Sequence, residues 1–278
     1  MKKALQLTLM LLLSTTVGSC ANKPSEDNSE YRVRLKTNYG NIVVKLYNDT
    51  PAHRDNFIKL VNKGFYNGVL FHRVIKNFMI QAGDPLTKNA KPGDPVGEGD
   101  VDYTIPPEFV YPAHYHKRGV LAAARDGNDV NPERESSGCH FYIVWGKKFS
   151  DEGLEAEEKK KYAREEEKLF TLKVAALQDE INRLRLEGNQ QKLNEMGDSL
   201  LAEVHRELDS TRIYQFTDAQ RRDYTSVGGT PHLDNEYTVF GEVVEGLDVV
   251  GKISEVKTDG KDRPEKDVRI ISAKVIKK

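Results

Sequence analysis

The run from Phe71 to Pro85 holds the side chains best suited to chemistry: the cation Arg73 and the amide Gln81, with the apolar pair Phe78 and Met79 between them. A guanidinium is permanently charged and presents its donors in a fixed fork, so it can address a lone pair from one direction. Taken singly, each residue has a plainer reading. An isolated arginine most often pairs with a carboxylate, and Phe78 and Met79 on an apolar strand would belong to a core. Two other groupings are weaker. His114-x-His116 offers two imidazoles, yet no carboxylate or cysteine stands beside it at metal-site spacing, so both read as loop histidines. Gly97-Glu98-Gly99-Asp100 lacks the lysine and following helix of a phosphate loop. The two cysteines, Cys20 and Cys139, cannot build a disulfide scaffold or an all-cysteine metal cluster. No Ser-His-Asp arrangement follows from spacing alone. Neither a metal nor a cofactor is expected.

The chain has 278 residues, with 42 basic against 43 acidic side chains and a net charge of -1. That balance supplies no global field for holding a polyanion, so sequence-independent nucleic-acid binding is excluded as a main role. Lys2 and Lys3, the apolar run Ala4 to Leu13 and the small residues Val17-Gly18-Ser19 before Cys20 read as an export signal over residues 1–20. Val-Gly-Ser-Cys resembles the bacterial lipobox, which implies cleavage before Cys20 and lipidation of its thiol. More than one acyl chain is what stable membrane anchoring takes. Residues 21–30 then form a flexible polar tether, and the expected location is the bacterial cell envelope, lipid-anchored, facing the periplasm or the cell surface. Cys139 is left without a partner and reads as a small buried residue.

Around the Phe71–Pro85 run the chain has three kinds of patterning. From Tyr31 to Tyr47 apolar and polar residues alternate about a turn at Asn38 to Asn41, which predicts two strands. Thr50-Pro51 opens a short helix that ends near Gly64. Residues 85–118 read as a long loop, with strands following at Val120 to Ala124 and Phe141 to Val144. Between Asp151 and Glu187 roughly half the positions are charged, and Phe170, Val174, Leu177, Ile181 and Leu184 form an a/d seam. After Gly188-Asn189 a second amphipathic stretch carries Leu193, Met196, Leu200, Val204 and Leu208. An antiparallel helical hairpin is expected, its first helix of about 35 residues spanning on the order of 50 Å. Strand patterning returns at Tyr224 to Gly229, Tyr237 to Gly241 and Val268 to Ile276, with a helix over Leu247 to Ile253. The hairpin, 149–224, is therefore expected as an insertion into one domain made of 31–148 and 225–278.

The segment Phe71 to Pro85 resembles the signature of the cyclophilin family of peptidyl-prolyl cis-trans isomerases. Thr50-Pro51-Ala52, Phe57 to Tyr66, Gly119 to Ala124, Phe141-Tyr142-Ile143 and Val239 to Val243 support the resemblance in order, and it stops at the hairpin. It implies a mainly β fold: a closed eight-stranded antiparallel barrel capped by two helices, with the α-helical hairpin inserted. It also implies isomerisation of X-Pro bonds, with proline-containing polypeptides as partners, and the export signal points to exported proteins as the substrates. By the same resemblance Arg73 faces the amide nitrogen, while Gln81 holds Arg73 or the substrate backbone. Phe78, Met79, Tyr142 and Leu233 line the proline slot, with Tyr237 at its edge. Ala124, Arg125, His140 and His232 complete the expected peptide-binding surface. Four positions depart from the family pattern. Arg125 stands where asparagine is usual, and His140 and Tyr142 where glutamine and phenylalanine are common. His232 replaces a tryptophan that in many members contacts cyclosporin. The two histidines are expected to make binding depend on pH near 6.5. The alternative reading is a membrane-tethered chaperone or binding module, in which the hairpin grips clients or a partner protein and the barrel is a scaffold.

Overall fold

The structure is a computed structural model that describes residues 30–277. The export signal, Cys20 and the tether up to residue 29 lie outside the described residues. Strands β1 (Arg32–Thr37) and β2 (Gly40–Leu46) pair antiparallel across the expected turn. Alternation sets the faces: Val33, Leu35 and Thr37 are buried, whereas Arg34 and Lys36 are exposed. Helix α1 (Pro51–Asn62) starts with Thr50 at its N-cap position and Pro51 in its first turn, but the threonine side chain makes no cap bond. Glu108, from the long loop, replaces it: its carboxylate accepts from the backbone N–H of Ala52 and His53, each at 3.0 Å, satisfying donors that the first helical turn leaves open.

Strands β3 (Phe71–Ile75) and β4 (Met79–Ala82) form a hairpin whose turn places Asn77 at φ 59°, a left-handed conformation that asparagine tolerates. The stretch read as a loop contains a 3-10 turn over Pro85–Asn89 and strand β5 (Thr104–Ile105). Asp84, almost fully buried, fixes it by accepting from the N–H of Leu86 and of Gly97. Next come β6 (Val120–Ala123), β7 (Ser136–Ser137), which pairs with β5, and β8 (Phe141–Val144). Four helices follow, α2 (Asp151–Ala176), α3 (Gln178–Leu186), α4 (Gln190–Thr211) and α5 (Asp218–Ser226). Strand β9 (Val239–Glu245), α6 (Leu247–Ser254) and β10 (Ile270–Lys277) complete the chain.

The main sheet is antiparallel throughout, in the order β10-β1-β2-β9-β6-β8-β4-β3. It curls around one core in which Phe57, Leu60 and Tyr66, and Val250 and Ile253 of α6, meet Leu35, Ile42, Phe71, Ile80, Leu121 and Phe141. Its two edge strands are not joined by a full ladder. They meet at the single bridge Leu70–Arg269, flanked by Phe71 N–H to Val268 O and Ile270 N–H to Val69 O, each 2.8 Å. The expected closed barrel is thus a curled sheet, and the expected mainly β class is mixed α/β. Six α-helices occur among the described residues, and α2 to α5 alone contribute 26, 9, 22 and 9 residues.

Within that helical region two further expectations change. The first helix does not run for about 35 residues: it ends at Leu177, whose backbone (φ -109°, ψ 15°) leaves the helical basin before α3 begins. Ile181 and Leu184 are buried, as are Leu200, Val204 and Leu208 of α4, but Leu177 in the middle of the seam is exposed. Tyr224 to Gly229, expected as a strand, instead closes α5. The capping box Thr217–Gln220 starts that helix, and its turn-to-turn bonds carry it through the β-prone Tyr224 and Thr225 as far as Ser226.

Candidate active site

Four strands place the central side chains in a row. Arg73 of β3 is in register with Gln81 of β4, Gln81 with Tyr142 of β8, and Tyr142 with Ala122 of β6. Because side chains alternate, Ile80, Ala82, Phe141 and Ile143 enter the core while Met79, Gln81, Tyr142 and Val144 point the other way. There Met79, Val120, Ala122, Tyr142, Val144 and Val239 build a second apolar cluster, covered in part by Phe78, Leu233 and Tyr237. The cover is incomplete. A cleft of about 430 Å³, counting the space open at its mouth, is lined by Arg73, Phe78, Met79, Gln81, Ala124, Arg125, Tyr142, Leu233 and Tyr237.

Arg73 stands at the rim, about half exposed, with Nη1 3.5 Å from Gln81 Oε1 and Nε 3.6 Å from Asp262 Oδ2. Both contacts are long, so the guanidinium is steered yet keeps donors for a ligand. Arg125 is committed elsewhere. Its Nε donates to the Glu236 carbonyl at 2.9 Å, its Nη1 to Asp126 O and Asn128 Oδ1 at 2.8 Å, and its plane lies 4.5 Å from the Tyr237 ring centroid. It therefore shapes the wall and holds Tyr237 upright. The Tyr142 hydroxyl bonds to His116 Nε2 at 3.0 Å, and burial pushes its acidity well down.

Two of the expected residues do not line this cleft. His140 is buried in a neighbouring concavity, with Nε2 2.6 Å from the Gly99 carbonyl. His232 sits exposed on the outer rim, stacked on Phe78 at 5.6 Å between centroids. The covered part of its ring favours the neutral form, lowering its pKa below the usual histidine value. The pair His114 and His116 does not converge on a metal: His114 bonds Asp49 at 2.8 Å and stacks on Tyr47, while His116 turns inward to Asp234. Asp100, Cys139 and His140 bring ligand atoms within 4.8 Å of one another. The thiol there donates to Asp100 at 3.1 Å and burial raises its pKa far above the normal range, so this reads as a hydrogen-bonded cluster.

Sequence reading took His116 for a loop histidine and passed over Asp234, Glu236 and Asp262. One signal pointed to the first. A tyrosine hydroxyl on the floor of an apolar slot needs a buried partner, and Tyr142 is that tyrosine.

The family model for cyclophilin type peptidyl-prolyl cis-trans isomerase/CLD matches residues 32–156 and 150–275. A peptidyl-prolyl cis-trans isomerase-like 2 of Rhizopus delemar is 29% identical over 238 residues, covering 85% of this chain and 27% of that protein. A Staphylococcus saprophyticus protein that carries the name of a peptidyl-prolyl cis-trans isomerase is 27% identical over 251 residues, with 90% of this chain and 94% of the relative covered. Among solved structures, a cyclophilin type peptidyl-prolyl cis-trans isomerase of Cryptosporidium parvum superposes with a TM-score of 0.53 at 19% identity. It covers 89% of this chain and 98% of its own. A second structure of that parasite protein, solved in the presence of the dipeptide Ala-Pro, gives a TM-score of 0.52.

Proposed function

This chain belongs to the cyclophilin-type peptidyl-prolyl cis-trans isomerases, and from that premise we propose that it turns X-Pro bonds of exported polypeptides in the cleft beside Arg73, without a covalent intermediate. Rotation about a peptide bond faces a barrier of about 18–20 kcal/mol because amide resonance must be broken. At the top of that barrier the nitrogen is pyramidal and its lone pair is free. A donor aimed at that lone pair binds the twisted form better than either planar form, which is all that a catalyst of this reaction requires.

The observation that carries the reading is the pairing of a rim guanidinium with donors to spare and an open apolar slot formed by Phe78, Met79 and Leu233. The slot takes the proline ring, Arg73 meets its nitrogen, and Gln81 steers Arg73 or bonds the substrate backbone. The Ala-Pro dipeptide used with the parasite relative is the smallest ligand of this kind. A protease-coupled assay on a tetrapeptide with a central Ala-Pro tests the reading. Arg73→Ala is expected to lower kcat/KM by about 100-fold, the lower end for loss of one transition-state donor; equal rates in variant and wild type would remove it.

The catalytic unit in this reading is 31–148 with 225–278, and 149–224 is an insertion. Residues 1–20 are the export signal and Cys20 the lipidated N-terminus, which puts the enzyme on the bacterial envelope. Lys2-Lys3, the apolar run and Val17-Gly18-Ser19-Cys20 support this. Labelled palmitate should enter the wild type and not Cys20→Ser; equal labelling would end the lipoprotein proposal. A second role, client binding by the helical region, is supported by its exposed Leu172 and Leu186, 59% and 91% accessible. Replacing both by serine should weaken protection of an aggregating client and spare peptide turnover; unchanged protection would contradict this role.

A further inference from the structure

A line of buried polar side chains leads from the cleft floor into the helices between β8 and β9. The Tyr142 hydroxyl is 3.0 Å from His116 Nε2, and His116 meets Asp234 Oδ1 twice, through Nδ1 at 3.2 Å and its backbone N–H at 2.8 Å. The other Asp234 oxygen accepts from the Tyr224 hydroxyl at 2.7 Å. His116, Asp234 and Tyr224 have no exposed surface and Tyr142 has 4%. Tyr224 belongs to α5, and its ring is fixed among Leu154, Phe216 and Phe149, apart from the two clusters of the sheet. Asp234 directly follows the 3-10 turn Pro231–Leu233, which supplies Leu233 to the slot.

A second strand of contacts runs beside the first. Arg164 of α2 donates through Nη1 to the His232 carbonyl at 3.1 Å, and its Nε lies 3.5 Å from Glu236 Oε1. The other oxygen of Glu236 meets Nη2 of Arg125, the residue that braces Tyr237, at 3.4 Å. Neither Tyr224 nor Arg164 lines the cleft. Yet each grips the segment 231–237, which contributes Leu233 and Tyr237 to it.

We propose that Tyr224 and Arg164 are positioning residues, through which the helical region sets the shape of the proline slot and hence its affinity for peptide. The proposal rests on the reading of the cleft as the proline site. A buried carboxylate keeps its orientation only while its lone pairs are satisfied, so loss of the Tyr224 donor frees Asp234 to turn. Asp234 then holds His116, and through it Tyr142, less firmly. Arg73 is anchored on β3 and is untouched by either chain of contacts. The penalty therefore falls on binding of the ring and leaves the rate of the bound step alone.

The test uses the full chain, anisotropy of a fluorescein-labelled tetrapeptide with a central Ala-Pro, and the coupled assay in parallel. Tyr224→Phe keeps the ring and loses only the donor; Arg164→Ala removes the second grip. Each is expected to raise the peptide dissociation constant and KM by about three- to tenfold, the scale of one typical hydrogen bond, since the loss reaches the slot only through the 231–237 segment, with kcat within about twofold of wild type. Leu184→Ala, a buried position of α3, which packs on α4, is expected to lower the melting temperature and leave affinity unchanged. Unaltered affinity in both Tyr224→Phe and Arg164→Ala would overturn the proposal, as would an equal loss in Leu184→Ala. Anisotropy reads binding without turnover. Failure of the isomerase reading would therefore appear as absent catalysis in the wild type, separately from the pattern among these variants.

Discussion

The two faces of the curled sheet are built from alternate residues of the same short strands, and they differ in what fills them. On the inner face Phe141 and Ile143 of β8 close on Phe57 and Tyr66, with ring centroids 5.1 to 5.4 Å apart, mostly edge to face. One residue along, on the outer face, Tyr142 and Met79 lie beside Ala122 and Ala124, and the small side chains leave the cleft open. The inner face is a packed solid whose worth is stability. The outer face is an unfinished core, and its missing volume is the proposed binding site. Polar groups follow the same division: Arg73 and Gln81 stand at the outer rim, while the hydroxyl that reaches the floor is matched by His116.

Substitutions on the two faces should therefore separate. Phe141→Ala on the inner face is expected to cost about 3–5 kcal/mol of stability, read by urea unfolding, with peptide affinity unchanged in the fraction that stays folded. A loss under 1 kcal/mol would mean that the inner face is not the structural one.

Next in size is a pH effect beside the inner face. Burial holds the His72 imidazole down to about 4 from its ordinary 6.5, and its Nδ1 has no hydrogen-bond partner among the described residues. Between those two values the unfolded chain binds a proton that the folded chain refuses. Stability is thus complete above pH 6.5 and falls as pH drops towards 4, by roughly 3 kcal/mol at most. His72→Leu should flatten the difference in urea midpoint between pH 7 and pH 4.5, and an identical pH dependence in the variant would assign the loss to other groups.

On the outer face Ala124→Leu fills the hollow. Overpacking of this order is worth 1–3 kcal/mol, so the peptide dissociation constant should rise on the order of tenfold while the melting temperature holds. Unchanged binding would place the proline ring elsewhere. The smallest effect is expected from Gln81→Ala. With its contact to Arg73 at 3.5 Å and partly exposed, loss of the amide should lower kcat about threefold, the scale of one weak hydrogen bond. A collapse of activity would make Gln81 a principal group instead of a guide.

Much of the sheet was legible in the sequence because local patterning and tertiary environment agree there. Alternation in Arg32 to Thr37 matches one buried face, and Thr50-Pro51 marks the start of α1. The cleft was legible through the ordered run of motifs: Arg73, Phe78, Met79 and Gln81 sit on one hairpin, and Tyr142 and Leu233 are brought to it by the fold. What stayed hidden has a common physical character. Glu108 caps α1 from a distant loop, and Asp234 binds His116 from far along the chain. Such long-range polar pairs leave no periodicity to read. Tyr224 misled for the opposite reason, since its β-prone neighbourhood was overruled by the capping box at Thr217 and by packing in the aromatic cluster. His140, expected at the cleft, is drawn aside by the Gly99 carbonyl.

The central claim is that Arg73 acts on the twisted bond and adds little to holding the peptide. Exchange spectroscopy by NMR on an Ala-Pro tetrapeptide, with catalytic amounts of wild type and of Arg73→Ala, tests it most directly. The wild type should give cross-peaks between cis and trans proline signals within a sub-second mixing time, and Arg73→Ala should lose them while still broadening the peptide lines through binding. Cross-peaks of equal strength from both proteins would contradict the account.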